Sequence, residues 1–128
     1  MARYRFLIAE DDPGTSRLYQ SYALRRGHEV LLARDGAETL LLAAAERPDV
    51  ILLDVARPKL DGRDVLKQLK ASPRTAKIPV MVVTAMAGDQ LARGQLVDLG
   101  ADDVVEKPID LHGTFAKAER LAERAREG

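Results

Sequence analysis

Short apolar runs alternate along the chain with segments in which apolar residues recur at helical spacing. The runs are FLIA (6–9), VLLA (30–33), VILLD (50–54), VMVVT (80–84) and a weaker VVEKP (104–108). Continuous apolar runs are typical of strands that are buried on both faces, as in a parallel sheet. Because a helical segment follows each run, the pattern predicts an α/β fold with helices on both faces of a five-stranded sheet.

Capping residues and glycines mark where the five predicted helices begin and end. Asp12 before Pro13 predicts the start of the first helix, and Gly27 predicts its end. The second helix is expected after Asp35 and before Pro48, the third over about 62–70, the fourth over about 89–99 up to Gly100, and the fifth after Asp110. The side chains expected to face the core are those of Leu18, Tyr22, Leu24, Leu40, Leu41, Ala44, Val65, Leu66, Leu69, Leu111, Phe115, Ala118, Leu121, Ala122 and Ala125.

The composition narrows the classes of function. The chain has 128 residues, so we expect one domain over residues 1–128. It contains no cysteine, which excludes disulfides, thiolate metal sites and thiol catalysis. Twenty basic residues balance twenty acidic ones, and no apolar run is long enough for a signal peptide or a membrane span. We therefore expect a cytoplasmic protein that binds neither nucleic acid directly nor a membrane.

Polar side chains stand where the predicted strands end. Glu10 and Asp11 follow the first strand, Asp54 ends the third, Thr84 ends the fourth and Lys107 ends the fifth. Because the carboxyl ends of parallel strands meet at one edge of a sheet, we expect these five side chains to converge there.

Each of these residues has an ordinary interpretation when it is considered alone. Asp54 can cap a loop, Thr84 suits any strand, and Lys107 can be a surface charge. Two carboxylates about 4 Å apart repel by roughly 4 kcal/mol at an effective dielectric near 20, so a bound cation would offset the crowding at the first strand. Mg²⁺ binds few protein ligands, mostly carboxylates, and completes its shell with water and phosphate oxygens. Together the residues indicate a hard-cation site, while Asp12 is expected mainly to start the first helix.

Four segments resemble the signature blocks of the receiver domain of two-component response regulators. They are FLIAEDDP, VILLDVARPKLDG, VMVVTA and GADDVVEKP, and the resemblance covers essentially the whole chain. The resemblance is to the chemotaxis-type single-domain receivers, and the domain it implies is either free-standing or part of a longer regulator. It implies a flavodoxin-like doubly wound sheet of strand order 2-1-3-4-5.

The resemblance also implies a role for each site residue. Asp54 is the phosphoacceptor, and Thr84 and Lys107 contact the phosphoryl oxygens. The cofactor is Mg²⁺, and its site is formed by Glu10 through water, Asp11, Asp54 and the backbone carbonyl of Ala56. Such a domain is not an enzyme in the usual sense, although it catalyses its own phosphoryl transfer and slow dephosphorylation. The peptide bond between Lys107 and Pro108 is expected to be cis.

The implied partners are proteins. A sensor histidine kinase or a phosphotransfer protein donates the phosphoryl group in a phosphorelay. A downstream protein binds the face formed by the fourth helix, the fifth strand and the fifth helix.

Val104 departs from the family pattern. The family usually has tyrosine or phenylalanine three residues before its lysine, and the position of that ring reports phosphorylation. Valine is stiff and too short for this role, so we expect a shallower switch that is carried mainly by residues 85–88 and the fourth helix. The alternative function is a degenerate receiver that acts as an unphosphorylated protein-interaction scaffold.

Other kinds of site have little support in the sequence. An aspartyl-phosphate hydrolase of the haloacid dehalogenase type needs a second acid where Ala56 stands. No glycine-rich dinucleotide fingerprint follows the first strand. His28 and His112 have no ligand residues near them in the sequence, so surface positions are expected for both.

Overall fold

The computed structural model describes residues 2–55, 62–85 and 88–128, in which strands and helices alternate strictly. The strands are β1 (Arg5–Ala9), β2 (Glu29–Ala33), β3 (Val50–Asp54), β4 (Val80–Thr84) and β5 (Asp103–Glu106). The helices are α1 (Pro13–Arg25), α2 (Gly36–Glu46), α3 (Gly62–Ala71), α4 (Gln90–Asp98) and α5 (Leu111–Glu127). The predicted order of elements is confirmed.

The strands form one parallel sheet in the order β2-β1-β3-β4-β5. This is the doubly wound, flavodoxin-like order that the sequence predicts. The direction in which strands are added reverses at β1, so β1 and β3 flank the switch point of the sheet. In such sheets ligands bind outside the carboxyl ends of the strands at this point.

Two apolar cores lie on the two faces of the sheet, because successive residues of a strand point to opposite sides. Leu7, Ile51 and Leu53 face one core, which α2, α3 and α4 cover. Phe6 and Leu52 face the other, which α1 and α5 cover. All residues of β3 and β4 are buried, as their continuous apolar runs predict, whereas the edge strand β2 is only partly buried.

The predicted helix boundaries are confirmed at their caps. The side chain of Asp12 accepts a hydrogen bond from the Thr15 N–H at the start of α1. Aspartate side chains also accept backbone N–H groups at the first turns of α2, α4 and α5. Gly27 and Gly100 follow α1 and α4 with φ of +90° and +109°, a conformation that glycine adopts without steric cost.

The predicted core faces of α1 and α2 are wrong for three leucines. Leu18, Leu24 and Leu41 are 53%, 54% and 69% exposed. The residues buried instead are Ser16, Tyr19 and Ala23 on α1, and Thr39 and Ala43 on α2. Small side chains let these helices lie close to the sheet, and the rotation that turns the alanines inward turns the leucines outward.

The predicted faces of α3 and α5 agree better with the structure. The buried residues are Val65, Leu66, Leu69, Phe115, Ala118 and Ala122. Ala125, expected on the same face of α5, is exposed because it lies in the last turns of the helix. Among the described residues, no helix has both the length and the apolar character needed to cross a membrane.

His28 is buried, so the expectation of a surface position is wrong for this histidine. Only 2% of it is exposed, and its ring packs 4.9 Å from that of Phe6. The Tyr4 N–H donates to Nδ1 at 3.1 Å, so the ring proton lies on Nε2, which donates to Glu119 at 2.6 Å. His28, directly before β2, therefore links the residue before β1 to α5 through its two ring nitrogens. His112 is exposed, as expected.

Candidate functional site

The carboxyl ends of four strands lie level with one another, and this places the predicted site residues at one edge of the sheet. Ala9 pairs with Leu53, so Glu10 follows β1 at the level of Asp54. Thr84 pairs with Glu106, and Lys107 follows directly. We call this end of the sheet, with Glu10, Asp11, Asp54, Thr84 and Lys107, the acidic edge.

Backbone hydrogen bonds continue past the strand ends and fix the acidic edge. The Glu10 N–H donates to the Ala33 carbonyl at 3.0 Å, and the Lys107 N–H donates to the Thr84 carbonyl at 3.0 Å. The backbone positions of Glu10 and Lys107 are therefore set by the geometry of the sheet and not by the conformation of a loop. The Lys107–Pro108 peptide bond is cis, as expected.

Lys107 and Asp54 are in direct contact. The Lys107 ammonium group donates a hydrogen bond to Oδ2 of Asp54. The Asp54 side chain is only 2% exposed, whereas that of Lys107 is 20% exposed. A buried carboxylate is costly unless a positive charge or hydrogen bonds offset its desolvation, and the contact with Lys107 supplies both to Asp54.

The three consecutive acids after β1 have different environments. Glu10 is 1% exposed, and its Oε2 accepts the Asp12 N–H at 3.0 Å. Asp12 in turn accepts both the N–H and the hydroxyl of Thr15, at 2.9 and 2.6 Å. This confirms Asp12 as the residue that starts α1. Asp11 is half-buried beside them.

Thr84 is 2% exposed at the end of β4, one residue beyond the partner of Asp54 in the strand register. Its position agrees with the predicted convergence. Ala56, whose carbonyl is the remaining predicted metal ligand, lies outside the described residues.

The donor set of the acidic edge fits Mg²⁺. Its ligating groups are carboxylate oxygens, and hard oxygen donors are what this ion prefers. Among the described residues there is no group of three or more acidic, histidine or cysteine side chains that could hold a metal ion by itself. A site with few protein ligands is the usual arrangement for Mg²⁺, which keeps several waters and substrate oxygens in its shell.

Gly62 shows why α3 starts so close to the site. A Cβ atom at this position would lie 2.4 Å from the Cα of Val55, which directly follows Asp54. Any larger residue would push the start of α3 away from the end of β3. The sequence contains the glycine but gives no sign of this contact, because the backbone that it approaches belongs to another element.

An apolar groove beside Lys107 was not predicted. Its volume is about 370 Å³, and its lining includes Leu18, Tyr19, Pro108, Ile109 and Leu111. It explains the exposure of Leu18, which lines the groove and does not reach the core. The groove could not be predicted from the sequence, because the helical spacing of Leu18 indicated a core position.

Arg93 on α4 was also missed. Its Nη1 atom donates a hydrogen bond to the Val104 carbonyl at 3.0 Å, and its Nη2 lies 4.0 Å from Asp103. The Val104 side chain is 3% exposed and packs in the core on the α4 side of the sheet. Thus α4 is joined to β5 through a side-chain-to-backbone bond at the position where the family usually has an aromatic ring.

Comparison with known proteins gives a consistent result. The family model described as the response regulator receiver domain matches residues 6–119. The DNA-binding dual master transcriptional regulator RpaA of Synechocystis is 39% identical over 120 residues, which are 94% of this chain and 49% of that protein. Response regulator PleD of Caulobacter vibrioides is 39% identical over 91% of this chain and 26% of its own length. The chain thus spans half or less of these curated relatives.

Solved structures agree with the sequence comparisons. The receiver domain of Francisella response regulator 1452 has a TM-score of 0.85 at 26% identity, covering 94% of this chain and 98% of that one. The receiver domain of sensor histidine kinase PA1611 from Pseudomonas aeruginosa has a TM-score of 0.84 at 26% identity, covering 95% and 99%. The second structure has a magnesium ion coordinated in its active-site cleft.

Proposed function

Because this chain belongs to the response regulator receiver family of two-component signalling, we propose that it accepts a phosphoryl group on Asp54 in the presence of Mg²⁺. The observation that carries the proposal is the contact between Lys107 and the buried Asp54 at a sheet edge that also bears Glu10, Asp11 and Thr84. The donor is a sensor histidine kinase or a phosphotransfer protein. Residues 1–128 act as one receiver domain.

The transfer makes Asp54 the nucleophile. One of its carboxylate oxygens forms the new P–O bond while the P–N bond of the donor phosphohistidine breaks, and the electron pair of that bond stays on the imidazole. Lys107 moves its hydrogen bond from the carboxylate to a phosphoryl oxygen. The Thr84 hydroxyl donates to another phosphoryl oxygen. Both contacts place positive charge or a proton donor where negative charge collects.

Asp11 and Asp54, with the Ala56 carbonyl, would hold Mg²⁺, and Glu10 would act through a water. When bound, the ion offsets the negative charge on the transferring group. The magnesium ion in the cleft of the PA1611 receiver supports this assignment. The oxygen-rich composition of the acidic edge supports it independently.

Receiver domains are signalling modules and not conventional enzymes, so their output is a change in protein contacts. The apolar groove beside Lys107 suits the phosphodonor protein, since it adjoins the lysine and exposes Leu18. The face of α4, β5 and α5 suits the downstream partner, because Arg93 and Val104 join α4 to the strand next to the acidic edge.

A protein-interaction scaffold that is never phosphorylated is the second candidate. The observation that favours it is Val104, which is buried in the core where the family usually has a mobile ring. The intact set of Glu10, Asp54, Thr84 and Lys107 favours phosphorylation, because a scaffold has no need of a buried aspartate in contact with a lysine.

Acetyl phosphate with Mg²⁺ tests the proposal directly. Intact-mass measurement should show the gain of one phosphoryl group in the unmodified protein and none in Asp54→Asn. Asp98→Asn is the matched control, because this aspartate is exposed at the end of α4. Labelling that persists in Asp54→Asn contradicts the assignment, and folded protein that takes up no phosphoryl group favours the scaffold.

A further inference from the structure

A second polar site lies at the end of the sheet opposite to the acidic edge. It is a cavity of about 200 Å³ between the C-terminal end of α2, the turn before β4 and the last turns of α5. Its lining includes Arg47, Arg74, Lys77 and Arg126, and the one carboxylate in the lining belongs to Asp49. We propose that this basic cavity binds the phosphate group of a small phosphorylated molecule.

The Asp49 carboxylate does not neutralise the cavity, because Arg126 and the backbone of β1 already occupy it. Nε and Nη2 of Arg126 donate to its two oxygens at 3.1 and 2.9 Å. The Arg5 N–H donates to Oδ2 at 2.7 Å. Arg126 is held further by the Arg3 carbonyl at 2.9 Å and by the Tyr4 ring at 4.4 Å. Arg126 and Asp49 therefore form a part of the lining that carries no net charge.

The other three cations in the lining are Arg47, Arg74 and Lys77. Arg74 donates through Nε and Nη2 to the Ala44 carbonyl, at 3.3 and 2.9 Å, which orients its guanidinium at the end of α2. Within residues 2–55, 62–85 and 88–128, Arg47, Arg74 and Lys77 form no ion pair with a carboxylate. Three positive charges on one small cavity repel each other, and a bound anion would relieve that repulsion.

Arg47 adopts an unfavourable backbone conformation to lie at this cavity. It ends α2 with φ of +47° and ψ of +64°, and it is the only non-glycine residue with positive φ in the described part of the chain. Helices commonly end on a glycine in this conformation, whereas a side chain there costs stability. After α1 and α4 the positive φ falls one residue beyond the C-cap and on a glycine, Gly27 or Gly100. The arginine that bears a side chain in this conformation supports a role for that side chain at the cavity.

The size and surroundings of the cavity favour a small phosphate over a nucleic acid. The volume is large enough for a phosphate group and lies below the range of about 300–1,000 Å³ that is typical of pockets for drug-sized ligands. The guanidinium groups match phosphate oxygens in pairs. Arg5, at the same end of the sheet, already pairs with Glu29 and Glu46 at 3.6 and 3.7 Å. Arg5 therefore does not extend the positive charge of the cavity into the long stripe that a nucleic-acid backbone needs.

The proposal is tested by following amide chemical shifts while inorganic pyrophosphate is added. The titration is done without Mg²⁺ and at about 0.15 M salt, which screens weak attraction to surface charges. Saturable shifts should appear at Arg47, Asp49 and residues 74–78 and not at residues 10–12, 54 and 107. Arg47→Gly should weaken binding about tenfold, as expected for the loss of one charge-assisted hydrogen bond. The same substitution should raise the melting temperature, which separates loss of the ligand contact from loss of the fold.

Lys77→Gln and Lys67→Gln form a matched pair, because both lysines are exposed and only Lys77 lines the cavity. Weakening by Lys77→Gln alone is the expected result. Equal weakening by both, shifts without saturation, or shifts confined to the acidic edge would overturn the proposal. Tighter binding of a short DNA duplex than of pyrophosphate at the same residues would overturn its assignment to a small molecule. None of these readouts depends on phosphorylation of Asp54.

Discussion

Lys107 and Asp54 are 53 residues apart in the chain, yet the ammonium group of the lysine hydrogen-bonds the buried carboxylate. The contact holds a negative charge in a position that is nearly closed to solvent. In the proposed phosphorylation, the same lysine exchanges this contact for one with a phosphoryl oxygen. Under that proposal, the stability of the unmodified protein and its reactivity both depend on the Lys107 side chain.

Replacement of this lysine should affect both properties. Lys107→Gln should lower the free energy of unfolding by about 1.5–3 kcal/mol, the usual worth of a hydrogen bond to a charged group, since the Asp54 carboxylate loses its cationic partner. It should also slow phosphoryl uptake from acetyl phosphate. Urea unfolding and intact mass measure the two effects, with Lys117→Gln on the exposed face of α5 as control. An unchanged stability would show that other groups hold the Asp54 charge.

Mg²⁺ should raise the melting temperature, because a ligand that binds only the folded state stabilises it by mass action. Asp11→Asn should remove most of this rise by deleting one of the carboxylates that would hold the ion. Asp110→Asn is a suitable control, since that residue caps α5 and lies outside the acidic edge. A melting temperature that does not change in saturating Mg²⁺ would count against the metal site.

The response to phosphorylation should be uneven across the output face. With beryllofluoride as the phosphoryl mimic, amide shifts should change strongly over residues 84–96 and weakly over 103–106. The reason is that Val104 is too short to move into the space that Thr84 vacates, while Arg93 still joins α4 to the Val104 carbonyl. Val104→Tyr should enlarge the changes in β5. Equally large changes throughout β5 of the unmodified protein would contradict this account.

Glu119 predicts a pH-dependent contribution to stability. Hydrogen bonds from Arg26, at 2.6 and 2.7 Å, lower the pKa of its carboxyl group below the ordinary value of 4.5, against the opposing effect of burial. A lowered folded-state pKa means that the stabilisation is complete above the unfolded pKa and is lost as the pH falls through the folded one. Glu119→Gln should therefore cost about 1.5–3 kcal/mol near neutral pH and much less in acid.

Urea unfolding at a series of pH values measures the difference between Glu119→Gln and the unmodified protein. Glu123→Gln, one turn further along α5 and exposed, should show no such trend. The difference in the free energy of unfolding could instead stay constant from neutral pH down to below the ordinary glutamate pKa. That result would mean that the negative charge of Glu119 is not what stabilises its contacts with Arg26 and His28.

The parts of the structure that the sequence predicts well are those set by local chemistry. Asp12 and Asp35 cap the helices that directly follow them, and the continuous apolar run of β3 forms a buried strand. The acidic edge followed from topology alone, because parallel strands bring their carboxyl ends together. Distances between side chains, such as the contact of Lys107 with Asp54, needed the structure.

The features that were missed depend on partners far away in the chain. Leu18 and Leu41 have the spacing of core residues, but alanines decide the rotation of their helices against the sheet. His28 is buried because Tyr4 and Glu119 satisfy its two ring nitrogens, and neither is near it in sequence. Arg47 gives no local sign of its left-handed conformation.

The contact between Arg126 and the carbonyl of Arg3, at 2.9 Å, brings the two ends of the described chain side by side. The two ends of the described chain thus lie near each other, and a short flexible linker can join them without disturbing the sheet. New ends opened between Pro73 and Arg74, which are both exposed in the turn between α3 and β4, would give a circular permutant with the same neighbours in space. If that permutant still takes up a phosphoryl group on Asp54, the acidic edge depends on the order of strands in the sheet and not on the order in which they are synthesised.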